Sequence, residues 1–288
     1  MLRNATTQHP ILLVHGLFGF ERIGPFELFH DVKQALNAIG AQVFVPHLSA
    51  IHDNEVRGKQ LLWQIDSVLR GTGATKVNLI GHSQGALAAR YAAALAPHSV
   101  ASVTSVSGPN HGSEIADFLR KALIPGRLPE AVAQNVAILF FDFLSQLNGT
   151  RLPRNAVAAL GALTTEGVGS FNDKFPQGLP KTWGGHGAEQ VNGVRYYSWS
   201  GVVPELDVSP SDPVQGICRA LSEYFITEPE QNDGFVGRFS SHLGTVIRSD
   251  YPLDHLGSLR RAVGRHPAAG DSIGLYVEHA LRLQAANL

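Results

Sequence analysis

The chain has 288 residues, 44% of them hydrophobic and 16% charged, a balance that excludes intrinsic disorder. A chain of this length can bury about three quarters of its unfolded surface, so it needs no disulfide or metal staple. Its 23 basic and 24 acidic residues leave a net charge of −1, with no basic excess to recruit nucleic acid, and one cysteine, Cys218, excludes an intramolecular disulfide. The densest apolar stretch, Val136 to Leu144, is nine residues long and holds Asp142. A membrane span needs about 20 residues, so no transmembrane segment is expected. No signal peptide is visible either: Arg3 stands alone and the first apolar run, Ile11 to Val14, ends at His15-Gly16.

In chain order, Ile11 to Val14 reads as a buried strand. Glu27 to Ile39 reads as a helix with Leu28, Val32, Ala35, Leu36 and Ile39 on one face, stopped by Gly40. Gln42 to Val45 is a strand, Glu55 to Leu69 a helix closed near Gly71, Val77 to Ile80 a strand, Gln84 to Leu95 a helix and Val100 to Val106 a strand. This alternation predicts a mostly parallel sheet with helices on both faces. Glu114 to Leu163 is helical in pattern throughout, as a cap over a sheet would be. Thr182 to Gln190 is a Gly-rich loop, Asn192-Gly193 a tight turn, and Val194 to Ser200 the strand after it. A helix over Val214 to Phe225, a short strand over Thr245 to Ile247 and a closing helix over Ser272 to Leu283 complete the reading. There is no internal repeat, so we expect one α/β domain over 1–288.

The segment Gly81-His82-Ser83-Gln84-Gly85 fits G-x-S-x-G. Chance alone supplies roughly 0.2 such matches in a chain of this composition, so context decides. Here four apolar strand residues precede the motif and a helical pattern follows it. On that sharp strand-to-helix turn, side chains at 81 and 85 would collide with neighbouring elements. The turn lifts the Ser83 hydroxyl to the carboxyl edge of the sheet, facing the free N–H groups of the helix start. His15-Gly16-Leu17 closes the first strand beside this turn. The Leu17 and Gln84 main-chain N–H groups are therefore the expected donors of an oxyanion hole.

A serine hydroxyl needs a base to take its proton. On such scaffolds the order is serine, acid, histidine. Asp233, in the turn-type Gln231-Asn232-Asp233-Gly234, is the candidate acid. Asp207, Asp212, Asp250 and Asp254 read as surface charges. Four histidines follow: His242, His255, His266 and His279. His255, on the loop after the Thr245–Ile247 strand, is the first choice and His242 the runner-up. His279 lies in a helical stretch and His266 beside Pro267. His82 reads as a pocket wall whose side chain diverges from Ser83.

The stretches PILLVHGLFGF (Pro10 to Phe20), NEVRGKQLL (Asn54 to Leu62), KVNLIGHSQGALAARY (Lys76 to Tyr91), SVTSVSGPNHGSEIADFLR (Ser102 to Arg120), FPQGLP (Phe175 to Pro180), VNGVRYYSWSG (Val191 to Gly201), NDGFVGRFSSHLG (Asn232 to Gly244) and DYPLDHL (Asp250 to Leu256) span nearly the whole chain. In these the sequence resembles bacterial true lipase family I.1, of the Pseudomonas and Proteus type, and within it the short, disulfide-free Pseudomonas fragi-like branch. The resemblance implies an α/β-hydrolase fold, secretion, and hydrolysis of long-chain triacylglycerols at an oil–water interface. It places the catalytic serine, acid and base on Ser83, Asp233 and His255, which decides between His255 and His242, and the oxyanion donors on Leu17 and Gln84. It also implies a helical lid within about 124–148, inside the cap over 114–163, with Leu139, Phe140, Phe143 and Leu144 as candidate substrate contacts. No cofactor for the chemistry is implied. The family's structural calcium site falls on Asp212, Gly257, Arg261 and Arg265. One carboxylate remains there, where Ca²⁺ wants six to eight oxygens, and an Arg261–Asp212 pair is the expected replacement. A lipid or ester substrate is the expected partner, and a monomer without a dedicated foldase the expected form. The alternatives are a broad carboxylesterase, polyester hydrolase or acyltransferase with the same triad, and, more remotely, a non-catalytic lipid-surface binding module.

Overall fold

The computed structural model describes residues 6–16, 22–23, 26–49, 52–122, 126–127, 129–146, 156–205, 212–259 and 271–288. Strand β1 (Ile11–Val14) is followed by a small antiparallel pair, β2 (Arg22–Ile23) and β3 (Phe26–Glu27). Helix α1 (His30–Ala38) begins three residues after the expected Glu27. Phe29 precedes it with φ 64, a left-handed conformation that no continuous helix allows. Then come β4 (Val43–Phe44), α2 (Asn54–Thr72), β5 (Val77–His82), α3 (Gln84–Leu95) and β6 (Val100–Val106). The α2 helix runs through Gly71 and closes at Gly73, whose φ of 72 makes it the left-handed cap.

The cap holds α4 (Glu114–Ala122), α5 (Glu130–Gln146) and α6 (Ala156–Gly161), and its described residues form no strand. A further helix, α7 (Thr165–Lys174), is absent from the sequence reading. The Thr164 hydroxyl caps it by accepting from the Gly167 N–H at 3.0 Å, while Val168 and Phe171 form its buried face. Strand β7 (Gln190–Val191) turns at Asn192 (φ 52) and Gly193 (φ 79) into β8 (Val194–Gly201). Helix α8 (Pro213–Ser222) starts at a proline in its first turn, with Asp212 as its cap. Strand β9 (Thr245–Tyr251) is more than twice its expected length. Arg248 and Asp250 hid it, because on an edge strand outward charges replace the apolar run. Helix α9 (Ser272–Ala285) closes the chain.

Strands pair in the order β4-β1-β5-β6-β8, all parallel. The other edge of β8 pairs with β7 (antiparallel) along its start and with β9 (parallel) along its end. Every residue of β1, β5 and β6 is buried, as parallel strands covered on both faces must be. Alternation along β1 sends Ile11 and Leu13 into a core with α1, α8 and α9. It sends Leu12 and Val14 into another with α2 and α3. Loops from the carboxyl ends of the strands converge on one edge, where ligand sites of open parallel sheets lie. Among the described residues, no helix is long and apolar enough to cross a membrane.

Candidate active site

Ser83 sits between β5 and α3 with φ 55 and ψ −130, a strained backbone for a serine. The Ser83 N–H donates to the Val106 carbonyl at 3.0 Å, and its carbonyl accepts from the Ala86 N–H at 3.0 Å. The flanking glycines are sterically required. A Cβ on Gly81 would lie 2.5 Å from main-chain atoms of Gly85 and Ala86, and one on Gly85 would lie 2.1 Å from the Val14 carbonyl oxygen. Behind the turn, α3 is buried from Gln84 to Ala93.

The structure brings Asp233 and His255 to this serine. The Ser83 Oγ lies 3.0 Å from His255 Nε2, and His255 Nδ1 lies 2.9 Å from Asp233 Oδ2. An ionised carboxylate only accepts, so Nδ1 carries the ring proton and Nε2 is left open toward the hydroxyl. Asp233 is fully buried and its second oxygen accepts from the Phe235 N–H at 3.0 Å and the Val236 N–H at 2.8 Å. The main chains of the pair are joined as well, the His255 N–H donating to the Asp233 carbonyl at 2.9 Å. Acid and base are thus held by their own pair bond and by main-chain hydrogen bonds, besides the one to the serine.

The other candidates lie elsewhere. His242 places Nδ1 3.0 Å from the Gly185 carbonyl, and His279 is buried against Thr104, with Nε2 2.7 Å from Oγ1. Asp250 stands exposed and pairs with Arg248 at 2.6 Å, whereas Asp254, expected at the surface, is buried and accepts from the Gly257 N–H at 2.8 Å. His266 and Asp207 lie outside the described residues, as do Leu17, Arg261 and Arg265. Gln84, the other expected oxyanion donor, is the first residue of α3, where the helix offers its N–H no acceptor.

His82 corrects the sequence reading in part. It lines the site but is turned to the base: Nε2–H donates to the His255 carbonyl at 2.9 Å, and the two rings lie 4.8 Å apart. Burial, then the nearby His255, hold its pKa well below 6.5, so it stays neutral.

An apolar cavity of about 80 Å³ opens beside Ser83 and His255, lined by Leu28, Ile115, Leu119, Phe140, Leu160, Leu163, Phe235 and Leu259 among others. Phe140 therefore faces the site, whereas Leu139 packs half-buried against the core. The side chains of Phe143 and Leu144 lie outside the described residues.

Two contributors were missed from the sequence. Arg57 is completely buried, and its guanidinium donates to the carbonyls of His15 (2.5 Å), Gly16 (3.0 Å) and Ser49. Burial lowers its pKa to about 9, so it remains a cation at neutral pH, clamping the loop that enters the site from β1. Asn54, also in the first turn of α2, binds the Gln84 side chain. Helical spacing offered one signal, since both fall on the inward face with Leu61 and Ile65.

The residues present do not fit the calcium that the family resemblance implies. Asp212 is buried and its Oδ1 accepts from the Gln215 N–H at 3.2 Å, Gly257 offers no side chain, and the described residues hold no group of three or more metal-binding side chains.

Comparison with known proteins is consistent across the chain. The alpha/beta hydrolase fold family matches residues 9–209. A triacylglycerol lipase of Pseudomonas fragi is 57% identical over 290 residues, covering 99% of both chains. One from Vibrio cholerae is 44% identical over 98% of this chain and 89% of its own. Among solved structures, the mature Bacillus licheniformis lipase BlEst2 superposes with a TM-score of 0.65 at 19% identity, over 97% of this chain and 94% of that one, a likeness of fold.

Proposed function

The chain belongs to the triacylglycerol lipases of the α/β-hydrolase fold, and from that premise we propose that Ser83, His255 and Asp233 carry the ester hydrolysis. His255 Nε2 takes the Ser83 proton as Oγ attacks the ester carbonyl, then returns it to the leaving glycerol oxygen. Water follows the same route in reverse and frees the fatty acid. Asp233 fixes the ring tautomer and stabilises the imidazolium. The Gln84 N–H, with Leu17 as its partner, receives the developing oxyanion. The apolar cavity takes the acyl chain. The carrying observation is the hydrogen-bonded Ser83–His255–Asp233 chain, at 3.0 and 2.9 Å, on a buried carboxylate.

Within a single domain, α5 serves as the lid. Val136 and Phe140 are buried while Ile138 and Phe141 stand 55% and 49% exposed, an apolar surface suited to an oil phase. The enzyme works as a secreted monomer without a dedicated foldase, on the support of the family resemblance. No calcium holds the His255 loop. The Ser258 hydroxyl, at 3.1 Å from the His255 carbonyl, and His82 hold it instead. A chelator is accordingly expected to leave activity and Tm unchanged.

The test compares initial rates on emulsified triolein and on a soluble butyrate ester, with Ser83→Ala as control. Triolein hydrolysis that vanishes in the variant supports the proposal. Activity on the soluble ester alone would make the protein a broad esterase, and rates unchanged in the variant would remove Ser83 from the mechanism.

A further inference from the structure

Gln84 has no solvent-exposed surface, and a buried primary amide is costly unless hydrogen-bonded. Its Nε2 donates to the His52 carbonyl at 3.2 Å and to Asn54 Oδ1 at 3.0 Å. Asn54 Nδ2 in turn donates to the Ala162 carbonyl at 2.8 Å. Main-chain carbonyls at both ends fix the orientation of both amides, since neither could be flipped without facing oxygen to oxygen. A directed chain of hydrogen bonds therefore runs from the residue after the nucleophile, through the first turn of α2, to the base of the cap. The same turn carries Arg57, which grips the carbonyls of His15 and Gly16 on the opposite side of the site. A buried polar tether here, where an apolar pair could pack, fixes the direction of the Gln84 side chain, although its Oε1 finds no partner among the described residues.

We infer that Asn54 is a positioning residue for the oxyanion hole, holding Gln84 by its side chain so that its main-chain N–H is aimed at the tetrahedral oxygen. The inference rests on the assignment of that N–H as an oxyanion donor. Asn54 itself touches neither substrate nor the reacting atoms. Its effect is on the transition state alone, because the donor bonds more strongly to the developing oxyanion than to the ester carbonyl.

The test separates aim from packing. Asn54→Leu leaves the Gln84 amide the His52 carbonyl as its one partner of the two, so both Tm and kcat fall. The double variant Asn54→Leu/Gln84→Met replaces both partners by apolar groups of similar shape, which is nearly neutral for stability. In the double variant, Tm is expected to return close to the parent value. Its kcat on a soluble butyrate ester stays about tenfold to a hundredfold low with KM unchanged. The Kd for phenylboronic acid, which forms a tetrahedral adduct on serine, rises by the same factor. Recovery of kcat together with Tm would overturn the inference and leave the amide pair as packing. Should phenylboronic acid bind the parent no better than Ser83→Ala, Ser83 fails as the nucleophile of the proposed mechanism, and this inference falls with that reading.

Discussion

The floor of the site and its roof are built by different physics. On the floor, Ser83, Asp233 and His255 are fixed by a strained turn and by hydrogen bonds to main chain. In the roof, α5 is held by apolar packing on α4 and α8 through Val136 and Phe140, while Ile138 and Phe141 on the same helix face water. Hydrogen bonds are directional and hold atoms to a few tenths of an ångström; apolar contacts are not and can be exchanged for lipid. Chemistry that depends on a 3 Å proton transfer belongs on the first, and access on the second.

The largest effect is expected from the floor. Asp233→Asn leaves the fold intact but presents the wrong hydrogen-bond partner to His255 Nδ1, and kcat should drop by about 10³- to 10⁴-fold. Steady-state kinetics on a soluble ester reads it, and a loss below tenfold would mean that the acid does not set the tautomer.

A roof variant inverts the pattern. Phe140→Ala removes a buried ring between lid and cavity and should cost about 3 kcal/mol where α5 is rigidly packed, less where the helix can settle. Denaturant unfolding measures it, and the soluble-ester rate should change far less than in Asp233→Asn. Equal losses of rate in both variants would erase the distinction between floor and roof.

A third effect is set by pH. Glu228, buried under the turn that follows Asp233, accepts from the Phe239 N–H at 2.6 Å and the Ser240 N–H at 3.1 Å. Burial raises its pKa from 4.5 to about 7 against those two bonds; Glu114 raises it further and Arg238 lowers it. The folded state thus holds a proton that the unfolded chain has released. Stability from this group is present below about 4.5 and declines as pH rises to about 7. Glu228→Gln should flatten that decline in Tm; a parallel decline in the variant would assign it to another group. The smallest stability effect is expected for Phe141→Ser. On the exposed face of α5 it should change stability by less than about 0.5 kcal/mol, while lowering the rate on emulsified substrate relative to the soluble ester.

What the sequence disclosed follows the same division. The Ser83 turn is local: apolar strand, glycine-flanked serine and helix lie within one run of the chain, so spacing alone locates it. The acid and base come from loops 22 residues apart, and spacing left His242 open beside His255 until the resemblance entered. The clamps left a partial signal. Helical spacing puts Arg57 and Asn54 on the inward face of α2, but only tertiary contact reveals what they grip. Phe29 and β9 were misjudged because a left-handed backbone at a phenylalanine and a charged edge strand both run against the patterns that propensity follows. His82 reads as a pocket wall in the sequence and lines the site in the structure, but its bond to the His255 carbonyl crosses 173 positions and has no local signature.

The most direct measurement is mass spectrometry of the protein inactivated by diethyl p-nitrophenyl phosphate. One phosphoryl adduct is expected, on Ser83, formed in proportion to the loss of triolein hydrolysis and much more slowly in His255→Ala. An adduct on another residue that tracks the loss of activity, or full activity with Ser83 modified, would contradict it.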